Sequence, residues 1–137
     1  DESARSLVIE GTQGDATLRS FMNWEDIKSN PETQKIILHW QKLGQFRRNH
    51  PAIGAGIHTE ISSQPYTFSR TFTKGDFTDK VVVGLALPAG PKVLSTGSIF
   101  TEGATVIDTY SGKEALVSKG KVTIDTVFDV VLLELKK

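Results

Sequence analysis

Acidic side chains are the first candidates for chemistry in this sequence, because general acid–base catalysis needs carboxyl groups held on both sides of a reacting bond. The adjacent pair Glu25-Asp26 stands just before a predicted helix, where acids are typical of a solvated helix entry. Four later acids alternate with apolar neighbours, which is typical of the exposed face of a half-buried strand: Asp108, Asp125, Asp129 and Glu134. We therefore predict no catalytic residue in this chain.

The histidines give no metal-binding pattern. His39, His50 and His58 are spaced by eleven and eight residues, which matches no metal motif, and the sequence contains no cysteine. His39 is expected to pack beside Trp40. We predict no metal site and no cofactor, and the sequence also lacks the glycine-rich and serine motifs of nucleotide binding and serine hydrolysis.

A loop-type segment contains the remaining candidate site. Asp15 follows Gly14, Arg19 lies four residues later, and Met22-Asn23-Trp24 comes next. A carboxylate and a guanidinium at this spacing can hold the loop in a fixed shape through paired hydrogen bonds. The same two groups could also bind sugar hydroxyls, with Trp24 offering an apolar face to a pyranose ring. Spacing alone favours the structural interpretation.

Length and composition limit the function classes. The chain has 137 residues with 38% hydrophobic and 23% charged residues, which suits one globular domain with a core. Sixteen basic residues balance sixteen acidic ones, so we predict neither nucleic acid nor a membrane surface as a partner. The longest apolar run, Val81 to Leu87, is much shorter than the roughly 20 residues of a membrane-spanning helix.

A helix is predicted from Pro31 to about Arg48. Asn30 can cap it, Pro31 suits its first position, and Ser29 with Glu32 has the spacing of a capping box. Its apolar residues cover more of the circumference than a surface helix needs: Ile36, Ile37, Leu38, Trp40, Leu43 and Phe46. We therefore expect this helix to pack against two partners.

From about residue 56 the sequence changes to alternating β-branched and aromatic runs, separated by turn residues such as Lys74-Gly75-Asp76. This pattern predicts seven or eight antiparallel strands in a two-sheet sandwich. Residues of one parity are expected to share an inner face, in three sets: Tyr66, Phe68 and Phe72; Val81, Val83, Leu85 and Leu87; and Val131, Leu133 and Leu135.

The order of motifs in the first 56 residues resembles the end of the catalytic barrel of the α-amylase family of glycoside hydrolases. That family commonly has an acidic segment after the eighth barrel strand, a loop with Asp, Arg, Met and Trp, a helix with Trp-x-x-Leu and Phe-Arg, and then His-Pro-Ala. This chain has the matching series Asp1-Glu2, Asp15, Arg19, Met22, Trp24, Trp40, Leu43, Phe46-Arg47 and His50-Pro51-Ala52.

The resemblance implies two parts. Residues 1–50 would be a remnant of the barrel, containing the loop after its last strand and its last helix at about 31–48, and residues 51–137 would be the C-terminal Greek-key β-sandwich. Asp15 and Arg19 match positions at the rim of the sugar subsites, so substrate binding is assigned to them in the parent enzyme only. The catalytic carboxylates of the family would precede Asp1, so the fragment itself is predicted to be inactive.

The resemblance also implies partners. They are the missing barrel of the same polypeptide and an α-glucan in the full-length enzyme, and an open helix face would favour self-association of the fragment. It allows a periplasmic or secreted location and leaves the cytoplasm open. Two other interpretations remain: an independent carbohydrate-binding sandwich, and an immunoglobulin-like interaction domain with an N-terminal helix.

Overall fold

A computed structural model describes residues 22–136. The chain divides into two compact units, Asp1–Trp40 and Gln41–Lys137. Each unit is described by itself. The division predicted from the sequence, at residues 50 and 51, stays a prediction.

Three helices occur in the described part of the chain: α1 (Trp24–Ser29), α2 (Pro31–Asn49) and α3 (Pro51–Ala55). The prediction for α2 is confirmed, and the Oδ1 atom of Asn30 accepts a hydrogen bond from the Glu32 N–H at 3.0 Å. The capping-box prediction is wrong for Ser29, because its hydroxyl donates to the backbone carbonyl of Glu25 at 2.6 Å and so points into α1. Helix α1 was not predicted.

The second unit contains eight strands: β1 (Ile57–Ser63), β2 (Tyr66–Lys74), β3 (Phe77–Gly84), β4 (Gly90–Ser95), β5 (Thr105–Asp108), β6 (Lys113–Leu116), β7 (Lys121–Thr126) and β8 (Val131–Leu135). Six of them form one sheet in the order β1-β2-β3-β8-β5-β6, and β4 pairs with β7 in a second sheet. All the ladders of these strands are antiparallel. The predicted mainly-β sandwich is confirmed.

The larger sheet is buried on both faces at its centre. Val81, Val82 and Val83 are consecutive in β3, and all three are at most 5% exposed. Because side chains alternate between faces along a strand, three buried neighbours require cover on both sides. Val82 belongs to the core between the two sheets, whereas Val81 and Val83 pack in a second cluster that contains Phe46 of α2 and Ala52 of α3.

This arrangement corrects part of the parity prediction. Val81, Val83 and Leu85 share the helix-side cluster as expected, but Leu87 lies in the core between the sheets. Between Leu85 and Leu87 the backbone of Ala86 has a φ of 55°, which interrupts the extended conformation and its alternation. Leu135, at the end of β8, is 46% exposed and was expected inside.

None of the described helices is long and apolar enough to cross a membrane.

Candidate functional site

The substrate-binding residues predicted from the sequence, Asp15 and Arg19, lie outside the described residues, so that assignment stays a prediction. Trp24 opens α1 and is 65% exposed. His39 makes the expected contact with Trp40, with ring centroids 5.7 Å apart in an edge arrangement.

Glu25 and Asp26 serve the structure of the first unit. Glu25 pairs with Lys28 at 3.2 Å, and Asp26 accepts hydrogen bonds from the Thr33 hydroxyl and from Asn30 at 3.0 Å. These hydrogen bonds, that from Thr33 first, lower the pKa of Asp26 because they stabilise its charged form. Asp26 thus connects α1 to the first turn of α2, whereas the pair of Glu25 and Lys28 lies within α1. The prediction that neither acid is catalytic stays a prediction.

The prediction of four exposed strand acids is right for Asp125 only, which is exposed on β7. Asp129 is exposed but lies between β7 and β8, Asp108 is fully buried, and Glu134 is half-buried. Glu134 lies on the same side of β8 as Leu132, in the face that packs on the helices, and Asp108 lies on the same side of β5 as the buried Val106. Both positions are covered, so both acids need hydrogen-bond donors.

Asp108 receives its donors from the backbone. Its Oδ1 accepts the N–H groups of Tyr110 at 3.1 Å and Leu132 at 2.8 Å, and its Oδ2 accepts the N–H of Ser111 at 3.2 Å and also the Ser111 hydroxyl. The carboxylate thus joins the end of β5 to β8. Burial raises the pKa of the neighbouring Tyr110, with smaller contributions from the charges of Asp129 and Asp108.

His50 forms the most unusual cluster in the second unit. Its imidazole is only 9% exposed, and its Nδ1 lies 2.9 Å from Oδ1 of Asp79 on β3. Its Nε2 contacts Oε2 of Glu134 on β8. The ring also packs on Phe46, with centroids 4.5 Å apart. One buried histidine between α2 and α3 therefore contacts two strands that are neighbours in the larger sheet.

The short helix α3 is held by the same network. Oδ2 of Asp79 accepts the Ala52 N–H at 2.9 Å, and the Arg70 guanidinium donates to the carbonyls of Ala52 and Ile53 at 3.1 and 3.2 Å. A Cβ atom on Gly56 would lie 2.5 Å from the Ala52 carbonyl oxygen, so only glycine lets the chain turn here into β1. We call His50, Asp79, Glu134 and Arg70 the seam cluster.

The seam cluster is unsuited to metal binding, since its two carboxylates lie on opposite nitrogens of one ring and do not converge. Residues 22–136 contain no group of three or more histidine and acidic side chains that could hold a metal ion. The sequence analysis missed the cluster because His50 is 29 residues from Asp79 and 84 from Glu134. The available signal was a histidine directly before a proline at a predicted helix end.

Two lysines of the second unit donate hydrogen bonds to backbone carbonyls. The Nζ of Lys42, on α2, donates to the Tyr110 carbonyl at 2.5 Å and lies 4.7 and 5.0 Å from the ring centroids of Tyr110 and Phe128. Lys92 is 5% exposed and donates to the carbonyls of Thr126 and Phe128 at 2.7 and 2.6 Å. Lys42 thus attaches α2 to the loop after β5, and Lys92 attaches β4 to the end of β7 and the turn before β8.

An open groove of about 720 Å³ borders the seam cluster. Its lining combines the start of β3, the end of β8, the end of α2 and the segment before β5, and includes Asp79 and Glu134. Phe77 is 53% exposed at this groove. The groove is the part of the second unit where fixed polar groups and an accessible aromatic ring meet.

Comparison with known proteins finds a segment similar to this chain in another protein. No protein-family model matches the chain. The periplasmic alpha-amylase of Escherichia coli strain K12 is 43% identical over 84 residues, which cover 61% of this chain and 12% of that protein. The resemblance to the C-terminal part of an α-amylase-family enzyme is confirmed. This amylase-related chain thus spans about 12% of the length of the relative it matches.

Two solved structures share the fold. An Anoxybacillus alpha-amylase aligns with a TM-score of 0.50 and 18% identity over 70% of this chain and 22% of its own. AmyP, whose crystal structure contains maltose, aligns with a TM-score of 0.53 and 19% identity over 76% of this chain and 21% of its own. At these identities the two neighbours support the fold of the amylase-related chain and nothing finer.

Proposed function

We propose that the chain is a non-catalytic C-terminal domain of an α-amylase-like α-glucan hydrolase, which packs on the catalytic barrel and stabilises it. The relative from Escherichia coli, named an alpha-amylase, supports the class of parent enzyme. The matched residues are 12% of that relative, so the rest of the relative is long enough to contain a catalytic barrel.

The observation that carries the docking role is the apolar surface of α2 in the first unit. Ile36, Leu38 and Trp40 are 60%, 52% and 67% exposed. At about 100° per residue, Ile36 and Trp40 share one side of the helix while Leu38 lies on the other. A helix with apolar residues on opposite sides is typical of a buried element, so the proposal assigns these side chains to the contact with the barrel.

The seam cluster supports the stabilising role. It ties His50, at the end of α2, to β3 and β8 through buried charge-assisted contacts. In the proposal, α2 belongs to the barrel and the seam cluster fixes the end of α2 to the sandwich. Unfolding of the barrel must then also break the contacts of His50 with Asp79 and Glu134.

The described acids support the absence of catalysis. The Asp108 carboxylate accepts backbone N–H groups with both oxygens. The Asp79 carboxylate accepts the Ala52 N–H with Oδ2 and contacts His50 with Oδ1. Glycoside hydrolysis requires two carboxyl groups available to the substrate, one as acid and one as nucleophile or base. The proposal therefore places those groups in the barrel. It also assigns the chain a periplasmic or secreted location, which the periplasmic relative supports.

The test is an assay of the purified chain against soluble starch. The expected result is no release of reducing sugar above that of a mock purification from cells without the gene. Release that scales with the amount of purified chain would contradict the non-catalytic assignment. A second measurement compares the full-length natural enzyme with a form that lacks residues 51–137, for which we expect a lower midpoint of thermal inactivation.

A further inference from the structure

The groove beside the seam cluster has one apolar wall that is held in place. Phe77 begins β3 and pairs with Lys74 across a two-residue turn, Gly75-Asp76. Its ring meets the ring of Phe72 at a centroid distance of 6.4 Å and an angle of 60°. Because Phe72 packs in the helix-side cluster, the Phe77 ring is supported from within while about half of the side chain faces water.

The other walls offer hydrogen-bonding groups of both kinds. Lys80, Lys136 and Thr101 line the groove and can donate, and Glu134 can accept. The Lys136 ammonium already donates to Glu114 at 2.7 Å and keeps two further N–H groups for a ligand. Glu134 is held at Oε2 by His50, so its position is fixed before any ligand arrives. Two further apolar residues, Ile99 and Leu135, complete the lining.

The charges of this groove select against ionic ligands. The groove is lined by two carboxylates, of Asp79 and Glu134, and by two ammonium groups, of Lys80 and Lys136, so neither sign dominates. Lys136 is also paired with Glu114 at 2.7 Å. Asp79 is already committed to His50 and to the Ala52 N–H. A ligand that fits must be neutral, must both donate and accept hydrogen bonds, and must have an apolar face for a phenyl ring.

We propose that this groove binds a neutral oligosaccharide, with one pyranose ring stacked on Phe77 and its hydroxyls bonded to Glu134 and Lys136. A pyranose has this combination of properties, since its hydroxyls lie around the ring edge and its C–H groups form the faces. The groove is open, with a volume of about 720 Å³, so a chain of several sugar units can pass through it. The choice of an α-glucan as the sugar rests on the proposed function.

The experiment titrates the ¹⁵N-labelled chain with maltoheptaose and follows the backbone amide signals. A single stacked ring in an open groove gives a dissociation constant on the order of 1 mM. We expect saturable shifts at Phe77, Thr78 and Lys136, with the signals of β4 unchanged. Phe77→Ala should weaken binding at least about tenfold, because it removes the stacking surface. Phe77→Tyr should retain binding, because it keeps the ring.

Leu116→Ala is the matched control. Leu116 is 63% exposed on β6 and does not line this groove, so its removal should leave the affinity unchanged. Circular dichroism of each variant verifies that the sandwich is folded. The proposal is overturned if no saturable shifts occur up to about 10 mM sugar, or if Phe77→Ala binds as tightly as the parent. Neither result affects the docking proposal, which is measured separately by protection of Trp40.

Discussion

Replacing Asp79 by alanine removes two hydrogen bonds at once from the seam cluster. Its Oδ1 faces Nδ1 of His50 at 2.9 Å and its Oδ2 accepts the Ala52 N–H at 2.9 Å. The Asp79 side chain is 12% exposed and that of His50 9%, and Ala52 is 0% exposed, so water does not replace the lost carboxylate easily. Both partners are left with unsatisfied polar groups.

The size of the effect follows from these contacts. A hydrogen bond to a charged group contributes about 1.5–3 kcal/mol, and a buried donor left unpaired costs about 1–3 kcal/mol. Removing the desolvation cost of the carboxylate offsets part of the loss. We therefore expect Asp79→Ala to lower the free energy of unfolding by about 3 kcal/mol. Asp79→Asn keeps one acceptor oxygen and should cost about half as much.

The assay is urea unfolding of the complete chain, followed by far-ultraviolet circular dichroism of the strands. Tryptophan fluorescence is unsuitable, because Trp24 and Trp40 both belong to the first unit. Asp125→Ala is the control, since Asp125 is exposed on β7 and its loss should change stability by no more than about 0.5 kcal/mol. The reasoning is refuted if Asp79→Ala is as stable as this control.

Three other predictions test separate parts of the structure. Gly56→Ala should destabilise the chain by about 2 kcal/mol in urea unfolding, because its Cβ would meet the Ala52 carbonyl. Gly54→Ala is the control and should be neutral or slightly stabilising, since no atom lies within 4 Å of its Cβ. Equal effects of the two substitutions would contradict the tight approach at Gly56. Asp108→Asn should lower the free energy of unfolding by about 2–4 kcal/mol in the same assay, because an amide nitrogen would face a backbone donor. A decrease below about 0.5 kcal/mol would refute the role of Asp108 as acceptor for these N–H groups. In an NMR titration the pKa of the Asp26 carboxyl should lie below its usual value, so its contribution to stability is present at neutral pH and is lost as the pH falls through the lowered pKa. Thr33→Val should raise that pKa, because it removes the hydrogen bond that lowers it most. An unchanged pKa in this variant would contradict the assigned cause.

Local signals in the sequence were sufficient for the main elements. The polar residue before Pro31 and the basic end at Arg47 predicted α2 closely, since capping depends on a few neighbouring residues. Alternating apolar residues likewise predicted the strands and the sandwich. Helix α1 escaped detection because it has only six residues, although Asn23 caps it through a hydrogen bond to the Asp26 N–H.

Long-range contacts account for what the sequence analysis did not predict. Alternation identifies which side chains share a face, but it does not say what covers that face. Glu134 was assigned to water because the cover over its face of the larger sheet could not be foreseen. Asp108 was assigned to water because the backbone donors that meet it at the end of β5, one of them from β8, are not visible in the sequence. The seam cluster could not be predicted because its two carboxylates lie on β3 and β8, which are neighbours in the sheet but far apart in the sequence.

The most direct test of the docking claim is oxidative footprinting of Trp40 in the full-length natural polypeptide and in the chain 1–137. Trp40 is 67% exposed in this structure, so it should be oxidised rapidly in the separate chain. The account predicts that its oxidation slows at least about tenfold in the full-length protein, because burial against a catalytic barrel excludes the oxidant. Equal oxidation of Trp40 in both proteins would contradict the claim that this helix face packs on a barrel.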